Sequence, residues 1–226
     1  MTKSDIITYV SAMTLRLEST PNFCVVMEEP APGIVVVRSE NYPATEASFD
    51  LERHRVTADT GSRPDACGAL NELLNNPTLV RNATYWLDGH IFIKTDVLGR
   101  PYKYRVFYNK NWSVVHSQRP SNYPDKGFRD GDQAGHVIAA SLYGPHEIIN
   151  IVPMPWDLNE KWIRFQELYL ASTMSELEGS EDDWFIELHI NLCYSANSLR
   201  PDNIRLLADI DNARGYSASL STESIY

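Results

Sequence analysis

In Gly131-Asp-Gln-Ala-Gly-His136 a glycine directly before a histidine lets the backbone turn sharply. The apolar Val137, Ile138, Ala139 and Ala140 that follow anchor His136 against a core and hold it at the edge of a cleft. Further on, Asn159 opens a stretch in which Leu158, Trp162, Phe165, Leu168 and Tyr169 keep helical spacing. Its side chain projects from the first helical turn towards the histidine. That pairing suits phosphodiester hydrolysis. A neutral imidazole takes a proton from water near pH ~7, close to its own pKa. An amide oxygen is a hard, neutral donor of the kind Mg²⁺ accepts as one of few protein contacts, with water and phosphate oxygens filling the other positions. Such a metal would neutralise charge on the phosphate and the leaving oxygen.

Around this pair stand residues with both a chemical and a structural reading. Asn159 is also a helix-capping type, and Asn150, ahead of a buried strand, suits ordering of the loop through backbone hydrogen bonds. Asp132 and Gln133 hold the histidine loop, with orientation of the imidazole as an alternative for Asp132. Glu167 follows Asn159 by eight residues, slightly more than two turns, so both can share a helix face. It is a candidate for contact with the metal or its water, and otherwise a surface carboxylate. Arg100, Arg119, Arg129 and Arg164 are candidates for a phosphate clamp, since a guanidinium binds phosphate oxygens bidentately. Arg200, beside Pro201, reads as structural, as does His90 in a turn after Gly89. His146 is a candidate for lining the cleft and His116 for touching substrate. Trp112, Trp156 and Trp162 could stack on bases, although packing is the preferred reading.

Several motifs in one order carry a resemblance: Gly131-Asp-Gln-Ala-Gly-His136, Asn150-Ile-Val-Pro-Met154, Leu158-Asn159, the upstream Thr95-Asp-Val-Leu-Gly-Arg100, and the downstream Tyr194 with Arg200-Pro-Asp-Asn-Ile204. From about Tyr85 to Leu206 the chain resembles the DNA/RNA non-specific endonucleases, most of all a branch found as toxin domains in bacteria. The resemblance implies a His-Me finger, or ββα-metal, site of two strands and a helix, with His136 as general base and Asn159 as metal ligand. Glu167 matches the family's helix glutamate, while Trp162 and Phe165 come one residue early. Ala134 stands where the wider family often has arginine, so a phosphate-binding arginine must come from elsewhere. The toxin branch implies an immunity protein as partner, synthesis in a bacterial cytoplasm, export by a specialised system and action in the target-cell cytoplasm.

Composition sets bounds on these readings. With 43% hydrophobic and 11% aromatic residues the chain reads as folded, and no apolar run is long enough for a membrane span. No basic region followed by an apolar stretch opens the chain, so the expectation is no Sec export and no membrane partner. Cys24, Cys67 and Cys193 are far apart and read as small buried thiols. The net charge of -10 argues against a generic nucleic-acid binder. Its distribution softens that objection, because Lys94, Arg100, Lys103, Arg105, Lys110, Arg119, Lys126 and Arg129 face only Asp96 and Asp125 in their stretch. His146 to Asn191 is instead acidic.

The elements that must position the site follow from periodicity. Met1 to about Leu17 reads as an amphipathic helix capped by Ser4 or Asp5, Phe23–Met27 and Ile34–Val37 as strands, and Arg38–Ala66 as loop or linker. A domain boundary near residue 65 would separate a trafficking or adaptor segment, residues 1–65, from a nuclease domain, residues 66–226. Ala66–Leu74 reads as a short helix, and Thr84–Leu87, Ile91–Thr95 and Tyr102–Tyr108 as strands. Asn109–Arg129 reads as a loop over the cleft, Glu147–Val152 as a short strand, and Asn159 to about Leu177 as the site's helix. Trp184–Tyr194 alternates strictly, Ile204–Ile210 is a final strand, and the Ser/Thr-rich end from Gly215 reads as frayed.

The fold expected is α+β, an antiparallel sheet with a ββα-metal motif and flanking helices. The function expected is metal-dependent, non-specific cleavage of DNA and RNA, with Mg²⁺ as cofactor and Mn²⁺ as a substitute. Two alternatives stand beside it: a degenerate nuclease fold that binds without cutting, and a housekeeping or nutritional nuclease.

Overall fold

A computed structural model of the chain describes residues 1–8, 25–39, 46–58, 79–110, 127–212 and 217–225. It is α+β and mostly antiparallel, and divides into two compact units. The first takes in the described residues up to Pro101 with Glu147–Ile149; the second takes in the rest, from Tyr102 onward.

In the first unit, residues 3–8 are helical. Their cap is a reciprocal box: Asp5 N donates to Thr2 Oγ1 at 3.2 Å, and Thr2 N to Asp5 Oδ2 at 2.6 Å. The expected cap at Ser4 or Asp5 therefore moves back to Thr2. Strands β1 (Val25–Ala31), β2 (Ile34–Ser39), β3 (Glu46–Asp50) and β4 (Arg55–Ala58) pair antiparallel in sequence order. β4 then runs parallel to β5 (Thr84–Leu87), which pairs antiparallel with β6 (Ile91–Thr95). Alternate residues Val35, Val37, Ala47, Phe49, Val56, Ala58, Tyr85, Leu87, Ile91 and Ile93 are buried. The stretch read as loop from Arg38 to Ala66 thus contains two strands. They are short and carry few large apolar residues, so their alternation is faint in the sequence. The helix expected at Ala66–Leu74 lies outside the described residues.

The second unit is organised around β10 (Trp184–Cys193), which pairs with β7 (Pro101–Asn109) on one side and β11 (Asn203–Asn212) on the other. Register brings Tyr104 opposite Ile190, Val106 opposite Leu188 and Tyr108 opposite Ile186, all buried, and leaves Lys103 and Arg105 on the other face. Arg105 pairs there with Glu187. The tail expected to fray is instead β12 (Ser217–Ile225), bonded to β11 along its length. Polar Ser and Thr suit an edge strand better than the apolar alternation that would have announced it. Cys193, expected buried, is exposed, because it ends β10 at an outward position; Cys24 and Cys67 lie outside the described residues.

A separate two-stranded sheet carries the histidine. β8 (Asp132–His136) pairs antiparallel with β9 (Ile151–Pro155), His136 opposite Ile151 and Gln133 opposite Met154. The second strand begins later than the expected Glu147, because Ile148–Asn150 form a 3₁₀ turn. Helix α1 (Trp156–Phe165) follows at once, continues through a π-helical segment, Gln166–Ala171, and ends as α2 (Ser172–Glu178). Pro155 ends the strand and precedes the helix; its fixed φ, here -53°, suits both. The helix therefore starts three residues before Asn159, at Trp156.

Candidate active site

β8, β9 and α1 are consecutive apart from one loop, and they bring His136 and Asn159 into one corner of the second unit. Both are buried, at 7% and 8% exposure. Asn159 is not a cap: its side chain points off the first turn, and Nδ2 donates to Gln133 Oε1 at 2.9 Å. Its Oδ1 is buried and accepts no hydrogen bond among the described residues. Gly135 makes room for this oxygen, since a Cβ there would meet Met154 Sδ at 2.5 Å and Asn159 Oδ1 at 3.0 Å.

The backbone after His136 is fixed completely. Val137 N donates to Asn150 O at 2.9 Å. Ile138 N donates to Asn150 Oδ1 at 2.9 Å, while Asn150 Nδ2 donates to Ile138 O at 2.9 Å and Pro145 O at 2.8 Å. Ala139 N donates to Gln166 Oε1 at 2.9 Å, and Gln166 Nε2 to Val137 O at 3.2 Å. Trp162 Nε1 donates to the carbonyls of His136 and Val137, each at 3.1 Å. Ala139 O accepts from Leu142 N at 3.0 Å and Gly144 N at 2.9 Å. Asn150 is thus an internal clamp, and Trp162 is a core residue rather than a stacking platform; Trp156 is exposed.

Ahead of the histidine, Asp132 accepts from Arg200 Nε at 2.9 Å and Nη2 at 3.1 Å, and from Arg129 N at 3.0 Å. Burial pushes its carboxyl up, but the hydrogen bonds from Arg200 and Arg129 and their positive charges outweigh this and hold it below its ordinary value. Asp132 therefore secures the start of β8, and Arg200 has the structural role its proline neighbour suggested.

A buried amide oxygen without a hydrogen-bond partner is costly unless something else satisfies it. A cation would do so. The match to a family model settles the class: residues 81–212, more than half of the chain, match DNA/RNA non-specific endonuclease. The chain belongs to that family.

No curated protein matches the chain. Solved structures similar to it include two nucleases. One, an extracellular nuclease, is 15% identical, with 61% of this chain and 77% of that one covered and a TM-score of 0.38. The other, an extracellular endonuclease, is 17% identical, with 66% and 73% covered and a TM-score of 0.39.

The family implies a divalent metal. Among the described residues no group of three or more His, Cys, Asp or Glu could hold one. The orphaned Asn159 Oδ1 fits a different kind of site, one neutral protein oxygen with water and phosphate completing the shell. Glu167 is exposed, and the buried inward positions of its segment belong to Gln166 and Leu170. Eight residues at about 100° each leave Glu167 about 80° round the helix from Asn159, and its side chain faces solvent.

The four candidate arginines part company. Arg100 lies in the first unit, where its Nε binds Asp96 Oδ2 at 2.7 Å. Arg164 pairs with Glu160 at 2.8 Å on the exposed side of α1. Arg129 is exposed just ahead of β8. Arg119, like His116 and Trp112, lies outside the described residues. His90 sits buried in the first unit, its Nδ1 donating to Asp88 O at 2.9 Å, which is the structural role expected.

His146 comes closer to the site than the sequence indicated: its Nδ1 is 3.1 Å from His136 Nε2. Gln166 went unnoticed altogether. The signal for His146 was present in Gly144-Pro145-His146, a second histidine shortly after a glycine. For Gln166 none was available, because a polar residue within a helical stretch normally reads as solvent-facing.

Proposed function

We propose that the chain hydrolyses phosphodiester bonds of DNA and RNA with little sequence preference, using Mg²⁺ with Mn²⁺ as a substitute. The observation that carries this is the buried Asn159 Oδ1, without a hydrogen-bond partner among the described residues and packed against Gly135, the neighbour of His136. In this reading Asn159 supplies the direct protein contact to the metal and Gln133 aims it. When bound, the metal stabilises the charge that builds on the phosphate and on the leaving oxygen.

His136 acts as general base, taking a proton from water as that water attacks phosphorus. Its ring stays in place because the carbonyls that follow it are held by Trp162 and Gln166. Asp132 and Asn150 act in support. Glu167, exposed, acts through metal-bound water, and Arg129 binds phosphate with Arg164 as a further contributor. Contacts to phosphate carry no base information, so specificity is low. Plasmid and RNA degradation with Mg²⁺, with EDTA, and by His136→Ala tests this. Metal-dependent cleavage by the wild type alone supports the reading. A folded wild type that leaves both substrates intact in Mg²⁺ and Mn²⁺ overturns it.

We further infer an antibacterial toxin effector, made in a bacterial cytoplasm, exported by a specialised system, active in the target-cell cytoplasm and neutralised by an immunity protein. The motif resemblance to the toxin branch supports this, with residues 1–65 as a trafficking or adaptor segment. Cytoplasmic expression in a bacterium tests it: growth arrest that depends on His136 and is relieved by a neighbouring gene product supports the role, and harmless expression of an active nuclease counts against it.

A further inference from the structure

The mechanism above leaves one side chain of the site without a task. His146 Nδ1 lies 3.1 Å from His136 Nε2, with the rings edge to face, centroids 5.2 Å apart and planes at 87°. The turn that returns the chain from one histidine to the other is constrained throughout. Tyr143 adopts a left-handed φ of 58°, and a Cβ on Gly144 would stand 1.9 Å from Ile138 O. Asn150 binds Ile138, two residues after the first histidine, and Pro145, one before the second. A single carboxamide thus fixes both histidines to one another.

Between two facing imidazole nitrogens there is room for one proton, so one ring donates and the other accepts. A histidine that takes a proton from water must be neutral beforehand. With Nε2 engaged by His146, the water's proton arrives at Nδ1, and Nε2 carries the hydrogen.

We propose that His146 is the positioning residue of the hydrolytic base: its Nδ1 accepts the Nε2–H of His136, fixing both the tautomer and the ring orientation. This rests on His136 being the base. As water attacks, its oxygen bonds to phosphorus, its proton passes to Nδ1, and the leaving oxygen departs with the electron pair of the broken P–O bond and is protonated by solvent. His136 then returns its proton to solvent. His146 stabilises the transient imidazolium through a charge-assisted hydrogen bond. In catalytic triads a carboxylate orients the base; here a neutral ring acceptor does.

The test is ¹⁵N NMR of the imidazoles in the full chain, with steady-state cleavage by His146→Asn and His146→Leu. The asparagine oxygen can stand near the place of Nδ1 and still accept. Wild type should show His136 mainly as the Nε2–H tautomer, kept in His146→Asn together with most of kcat. His146→Leu should lose the tautomer preference and about 10- to 100-fold in kcat, with KM within about twofold. Wild-type His136 protonated on Nδ1 would overturn the proposal whatever the variants do, as would equal, wild-type cleavage by both variants. His136→Ala keeps the two readings apart: if it is inactive while both His146 variants are normal, only the positioning role falls, whereas an active His136→Ala removes the base itself.

Discussion

Asn159 and Gln133 share one hydrogen bond, Nδ2 to Oε1 at 2.9 Å, and it decides which end of the Asn159 amide is left for a cation. With the nitrogen committed to Gln133, the oxygen is the atom that remains. Gln133→Ala should therefore weaken the apparent affinity for the activating metal by about 10- to 100-fold, while kcat at saturating metal falls much less. Gln133→Glu, which keeps an acceptor, should fall between. A Mg²⁺ titration of cleavage rate checks this, and an unchanged half-saturation point in Gln133→Ala would remove Gln133 from the site.

Two glycines near the histidine predict different outcomes. A Cβ at Gly144 meets a backbone oxygen at 1.9 Å, which cannot yield without moving Ile138. Gly144→Ala should destabilise by about 1–3 kcal/mol. At Gly135 the obstacle is the flexible thioether of Met154, at 2.5 Å, together with Asn159 Oδ1 at 3.0 Å. Gly135→Ala should thus cost less stability and more activity. Thermal melts beside cleavage rates separate the two, and the reverse ranking would contradict the packing described.

The Asp132–Arg200 pair gives a pH prediction with a definite sign. Folding lowers the Asp132 pKa below its ordinary 3.8, so in the acid range the unfolded chain binds more protons than the folded one. The pair's contribution is complete above that ordinary value and is lost as pH falls through the lower, folded one. Asp132→Asn should be less stable by about 1–3 kcal/mol at neutral pH, and the two unfolding curves should converge in acid. Denaturant melts across a pH series measure this. A gap that persists unchanged into strong acid would mean that the charge of Asp132 is not its source.

Arg129 is the candidate arginine that is exposed beside β8 and has no ion pair among the described residues. Arg129→Ala should raise KM for DNA and RNA alike and reduce the steepness of the salt dependence by about one unit of log–log slope, with melting unchanged. Arg164→Ala, which loses only an exposed pair with Glu160, should do less. Equal effects would argue for a diffuse field over a specific phosphate contact.

What could be read from the sequence was whatever repeats or clusters. Strict alternation in Trp184-Phe-Ile-Glu-Leu-His-Ile-Asn-Leu192 set the central strand of the second unit, and Gly135-His136 with Asn159 marked residues that β8, β9 and α1 bring into one buried corner. What escaped depends on partners far along the chain. Ser217–Ile225 pairs through its backbone, which no side-chain pattern announces. Glu167 was placed by its spacing from Asn159, and eight residues at about 100° each leave about 80° between the two, enough to turn it to solvent. Gln166 acquires its role only once the strand and the helix lie together.

Val137, Ile138 and Ala139 have every main-chain N–H and C=O engaged, largely by the side chains of Asn150, Gln166 and Trp162. A two-stranded sheet ordinarily offers its edges to any extended peptide that drifts past, which is how foreign strands add and aggregates start. Here the stretch that follows β8 has already been given the rungs that a third strand would supply. An extended peptide passing Val137–Ala139 finds no ladder to join there.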